Sequence, residues 1–174
     1  MAEAALGSRK ALALSRPEIG RLLALLLPLG LLGGALGSQY IGGLHPCEMC
    51  YWQRWPHAAA ILLAALAFTA PAESSRSRLL TLLAGVAIAV SGAIGVYHAG
   101  VELGVFEGFT TCTSTARGAT TEELLKQIMQ VPLVRCDEVQ WAFLGISMAG
   151  WNAILSLGGA AAIAWLTLGA RRAG

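Results

Sequence analysis

Two cysteines two residues apart, followed four places later by an arginine, stand in the stretch HPCEMCYWQR, residues 45–54. A C-x-x-C ring is so small that closing it removes little chain entropy, which makes it a poor staple. Its usual use is thiol–disulfide exchange, where the spacing lowers one thiol's pKa and keeps a resolving thiol within reach. If a helix begins near Cys47, then Cys47, Cys50 and Arg54 share one face at i, i+3 and i+7. The helix N-terminus and the guanidinium then both favour a thiolate at Cys50. Pro56 sets the competing expectation that the regular helix starts only at Trp55, leaving the C-x-x-C on a turn. Arg54 itself reads equally as a hydrogen-bond donor to a ligand carbonyl or as a snorkelling anchor at a span end.

Two more cysteines, Cys112 and Cys136, lie with 23 residues between them. As a pair they suit a structural staple. The wide spacing argues against a four-cysteine zinc site, which normally uses two close pairs, so no metal is expected. Tyr51 stands where a c-type haem motif requires histidine directly after the second cysteine, so that attachment is excluded.

The elements that must carry these residues are apolar. Of 174 residues, 56% are hydrophobic and 13% charged, against about 25% charged in a soluble domain. Four segments approach the roughly 20 apolar residues that cross a bilayer: Leu22–Ile41, Trp55–Ala70, Leu79–Ala99 and Trp141–Leu168. The last holds one polar residue, Asn152. The expected fold is all-α, a single four-helix transmembrane bundle, with redox loops at 42–54 and 100–140. The first apolar run is longer than a signal-peptide core and is read as a retained helix. Ser15, Pro17 and Glu18 spell a helix start with a capping box. Trp52 and Trp55 are residues of the membrane–water interface.

Alternation of four spans sorts the charges. Arg9, Lys10, Arg16, Arg21, Arg76, Arg78, Arg171 and Arg172 fall on one side, eight of the twelve basic residues. The other side holds seven of the ten acids. The positive-inside rule places both termini in the cytoplasm. All four cysteines then face the opposite compartment, an oxidising one where disulfides persist. In the long outer loop, Leu124, Leu125, Ile128 and Met129 form an apolar stripe over 120–134, expected as a short helix on the membrane or packed on protein. No repeat, phosphate-binding loop or basic–aromatic pattern is present, so no nucleic acid is expected.

PCEMCYWQR, YHAG at the end of the third span, and RCDEVQWAFLGISMAGW leading into the fourth carry a resemblance. The chain resembles the DsbB family of bacterial membrane disulfide-bond formation proteins, from Leu22 to Leu168. The resemblance implies a quinone-dependent protein-disulfide oxidoreductase of the bacterial inner membrane. It implies that a periplasmic thioredoxin-fold oxidase of the DsbA type is the partner, and that ubiquinone or menaquinone is the electron acceptor. It assigns Cys47, Cys50, Cys112 and Cys136 to catalysis, with Cys112 taking the mixed disulfide and Cys136 exchanging with Cys47. Arg54 and His98 would lie beside the quinone. A dedicated partner for a specialised paralogue is the nearest alternative. A vitamin K epoxide reductase-like protein is another, although its C-x-x-C lies near a late span and this one precedes the second. A haem-carrying membrane subunit ligated by His45, His57 and His98 is the non-enzyme alternative.

Overall fold

In a computed structural model, residues 14–108, 120–122 and 134–169 are described. They form four helices and one small hairpin: α1 Arg16–Tyr40, α2 Glu48–Ala67, α3 Ser75–Glu102, β1 Ala142–Phe143, β2 Ile146–Ser147 and α4 Met148–Gly169. The four-helix bundle expected from the hydropathy is present. α1, α3 and α4 are each long and apolar enough to cross a membrane by length and composition. The outer surface is greasy, with Leu26, Leu62, Leu79, Val86, Ile154 and Trp165 all exposed.

The helix starts follow from local chemistry. Ser15 precedes α1, Pro17 occupies its first turn, and the Glu18 carboxylate accepts from the Ser15 N–H at 2.8 Å. Ser74 caps α3, its hydroxyl accepting from the Ser77 N–H at 3.2 Å. Cys47 caps α2, with its sulfur accepting from the Cys50 N–H at 3.4 Å. The expectation of a helix beginning only at Trp55 is therefore corrected. α2 runs through Pro56, and the C-x-x-C forms its first turn.

The fourth span also differs from its expected start at Trp141. Residues 142–147 form a two-stranded hairpin, pairing Ala142 with Ser147 and Phe143 with Ile146. Leu144 and Gly145 make the turn with φ of 53° and 77°, the left-handed pair of a type I′ turn. The Trp151 indole N–H donates to the Phe143 carbonyl at 3.0 Å, which fastens the hairpin onto the start of α4.

The core between helices is made of small residues: Ala24, Ala60, Ala64 and Ala84, with Ile88 and Ile163. Small side chains let membrane helices approach closely. Gly95 of α3 lets backbone meet backbone, since a Cβ there would lie 3.0 Å from the Ala149 carbonyl and 3.1 Å from the Asn152 side chain. α4 is thus laid directly on α3, with Asn152 at the contact.

Candidate active site

At the end of the bundle where α2 starts and α3 finishes, a second buried cluster forms around Cys47, Met49, Val101 and Cys136. Capping places the Cys47 sulfur against the first turn of α2, 3.1 Å from the Cys50 sulfur. His98, one turn before the end of α3, brings its Nε2 to 3.6 Å from the Cys47 sulfur on the other side. Cys136 comes in from the segment between α3 and β1, and its sulfur, the Cys47 sulfur and a His98 ring nitrogen all lie within 4.8 Å of one another. Three of the four sequence-predicted cysteines are thereby gathered at one point. Cys112 and most of the expected 120–134 helix lie outside the described residues.

The two thiols of α2 are split in acidity. The Cys47 S–H donates to the Cys50 sulfur, and this hydrogen bond, with burial, pushes the Cys47 thiol above its usual range. The same hydrogen bond holds the Cys50 thiol down to about 7, with a backbone hydrogen bond at Cys47 and the Arg54 charge acting in the same direction, against burial and the Glu102 charge. Cys50 is therefore the thiolate of the pair. Arg54 is fixed by α1: its guanidinium donates to the Gln39 side chain and to the Ala35 carbonyl, and it lies 5.2 Å over the Tyr51 ring. Its Nε is buried and unpaired among the described residues.

Below the sulfurs lies a set of polar side chains that motif spacing did not flag as a site. Asn152 Nδ2 donates to the Ser91 carbonyl at 3.2 Å and to Gln53 Oε1 at 2.7 Å. A backbone carbonyl only accepts, so this contact fixes which end of Asn152 is the amide nitrogen. Gln53 Nε2 in turn donates to the Met49 carbonyl at 3.1 Å and faces His98 Nδ1 at 2.8 Å. Both amides are thus oriented by main-chain acceptors. His98 Nδ1 must accept, so the neutral ring carries its proton on Nε2, towards the Cys47 sulfur and the Glu102 carboxylate 3.8 Å away. In this tautomer Nε2 has no lone pair for a cation, so the Cys47–His98–Cys136 cluster suits proton and sulfur chemistry better than metal binding.

Asn152 was visible in the sequence as the lone side-chain amide of its span. Gln53, Ser91 and Glu102 carried no such signal. His57 entered the reading only as a haem candidate, yet it joins this network, its Nε2 lying 2.9 Å from Asn152 Oδ1 and 2.9 Å from the Ser91 hydroxyl.

A cavity of about 590 Å³ opens beside the network, between α1, α2 and α4. Cys50, Arg54, His57, His98, Trp151 and Asn152 are among its lining residues. Its size falls within the roughly 300–1,000 Å³ of small-molecule sites, and a mostly apolar wall with a few convergent polar groups is their usual make-up.

Residues 17–166 match the family model described as DsbB, disulfide bond formation protein DsbB. A disulfide bond formation protein B of Marinobacter nauticus is 30% identical over 140 residues, covering 76% of this chain and 80% of the relative. Proteins of the same description from Hahella chejuensis and Aromatoleum aromaticum are 28% and 30% identical, covering 79% and 72% of this chain and 86% and 76% of theirs. No solved structure matches the chain.

Proposed function

The chain belongs to the DsbB family of disulfide bond formation proteins, and on that footing we propose that it re-oxidises a periplasmic DsbA-type dithiol oxidase and passes the electrons to membrane quinone. The observation that carries this reading is the row of three sulfurs, Cys136, Cys47 and Cys50, ending at a cavity that Arg54 also lines.

The reduced partner attacks the Cys112–Cys136 disulfide and is bound through Cys112. Cys136, released as a thiolate, attacks the Cys47 sulfur. The Cys47–Cys50 bond breaks, a Cys47–Cys136 bond forms, and Cys50 leaves as a thiolate at the mouth of the cavity. Closure of the second partner thiol onto the mixed disulfide releases an oxidised partner and a Cys112 thiolate, which attacks Cys136, re-forms the Cys112–Cys136 disulfide and expels Cys47, leaving the reduced Cys47–Cys50 pair. Re-formation of the Cys47–Cys50 disulfide sends two electrons and two protons to a bound ubiquinone or menaquinone, giving a quinol. The low pKa of Cys50 suits both its leaving and its electron-donating role. The unpaired Arg54 Nε is a donor for a carbonyl oxygen in a dry pocket. His98 holds its Nε2 3.6 Å from the Cys47 sulfur, and its ring hydrogen-bonds the Cys136 backbone. A partner poised at about −120 mV is too oxidising to be regenerated by an ordinary structural disulfide at roughly −300 mV, so quinone supplies the driving force.

On this reading the protein sits in the bacterial inner membrane with both termini in the cytoplasm and all cysteines on the periplasmic side. The test is quinol formation in detergent from reduced DsbA-type oxidase and ubiquinone. Wild type turns over, and Cys50→Ser does not. Turnover that survives Cys50→Ser would remove Cys50 from the path. No turnover by wild type, with the quinone competent in a control enzyme, would reject the reading for this partner.

A further inference from the structure

His57 is the group in the cavity wall that the electron path leaves unused. It is 3% exposed and sits one turn below Arg54 on the same face of α2. Asn152 Nδ2 is committed to the Ser91 carbonyl and to Gln53, so Asn152 Oδ1 faces His57 Nε2 as an acceptor and also receives the Ser156 hydroxyl. The Ser91 hydroxyl is committed to the Gln53 carbonyl at 2.8 Å, so towards His57 it too can only accept. Two acceptors at Nε2 require the imidazole proton to be there. Nδ1 is left with a bare lone pair, and among the described residues that atom is buried with no hydrogen-bond partner.

An unpaired buried acceptor is costly and needs a donor. A quinone offers none, since both of its oxygens are carbonyl acceptors. A quinol offers two hydroxyls. Arg54 and His57, at i and i+3, present side chains whose Cβ atoms are about 5–6 Å apart, a span comparable to one quinone ring. Resting on the quinone-reductase reading above, we propose that His57 binds the oxygen of the quinone head group remote from Arg54, accepting its hydrogen bond once that oxygen has become a hydroxyl. The pocket then binds quinol in preference to quinone. By linkage, tighter binding of the reduced form makes the bound quinone a stronger oxidant than the free one, which draws electrons off the Cys47–Cys50 dithiol. The reaction balances: two thiols and one quinone give one disulfide and one quinol, with two electrons and two protons transferred.

The test compares decyl-ubiquinone with decyl-ubiquinol, anaerobically, in a Cys50→Ala background that cannot pass electrons, followed by quenching of tryptophan fluorescence. The expected result is quinol bound roughly tenfold more tightly, the equivalent of one hydrogen bond, and a ratio near one in His57→Leu with both forms still bound. Because removing His57 strands Asn152 and Ser91, a variant-free measurement accompanies it. In the ¹⁵N spectrum of histidine-labelled protein, His57 should read as the Nε2–H tautomer, and its Nδ1 should move on adding quinol but not quinone. Equal binding of the two forms by the Cys50→Ala protein, or an Nδ1 resonance indifferent to saturating quinol, overturns the assignment of His57 and leaves the quinone reading intact. Binding of neither form overturns both.

Discussion

At the scale of single residues, the chemistry turns on the unequal acidity of two neighbouring thiols. Cys50 has its pKa depressed to about 7, whereas Cys47 is pushed upward. A thiol loses its proton as pH rises through its pKa, so alkylation of the reduced protein at Cys50 should rise through pH of about 7 and then level off, with Cys47 unreactive over the same interval. Mass mapping of iodoacetamide adducts against pH checks this. Arg54→Met removes a charge that favours the thiolate, so the midpoint should move up towards the ordinary thiol range. The same change should raise the KM for quinone about tenfold or more, the value of a charged hydrogen bond. Cys47, Cys50 and Arg54 were legible in the sequence because their types and spacing carry the chemistry. Gln53, Ser91 and Glu102 were not, because a polar side chain inside a span takes its role from whichever neighbour rotates onto it.

Elements explain why the site holds its shape. The helix start at Ser15 was readable, since capping is a local interaction, whereas the one at Ser74 was not read. The start of α4 was not. Trp141–Ser147 is apolar enough to continue a helix, and a short apolar run does not by itself separate helix from strand. The turn that decides it uses Leu144 at φ 53°, where asparagine or glycine is usual. Leu144→Asn should therefore stabilise the fold by about 1 kcal/mol, seen as a higher midpoint of thermal unfolding in detergent. Gly95→Val acts in the opposite direction. Its side chain would press on the Ala149 carbonyl and on Asn152, costing roughly 1–3 kcal/mol and disturbing the amides that orient His98 and His57. A fall in both unfolding midpoint and turnover is expected, with the midpoint change measured on the purified variant.

For the whole molecule, hydropathy carried the four-helix architecture, because the bilayer allows so few ways of satisfying backbone polar groups. The proposed orientation makes its own prediction. A cytoplasm-dependent fluorescent reporter fused after Gly174 should be active, and a periplasm-dependent phosphatase there should be silent. The reverse pattern would invert the topology and put the cysteines in a reducing compartment.

One helix is not like the others. α1, α3 and α4 are apolar enough to cross on their own, and α2 is not among them, because Gln53, Arg54 and His57 occupy its outer half. Beyond the Met49 carbonyl and the Tyr51 ring of α2 itself, those groups find their partners on neighbouring helices, at Gln39, Ser91, His98 and Asn152. During synthesis α2 emerges before α3 and α4, with only the Gln39 and Ala35 groups of α1 to meet its polar face. Entry into the lipid together with α3, as a hairpin, is the expected outcome. The polar residues of the candidate site are the ones that make α2 least apolar, and a nascent chain ending soon after Ala70 should leave α2 accessible to water.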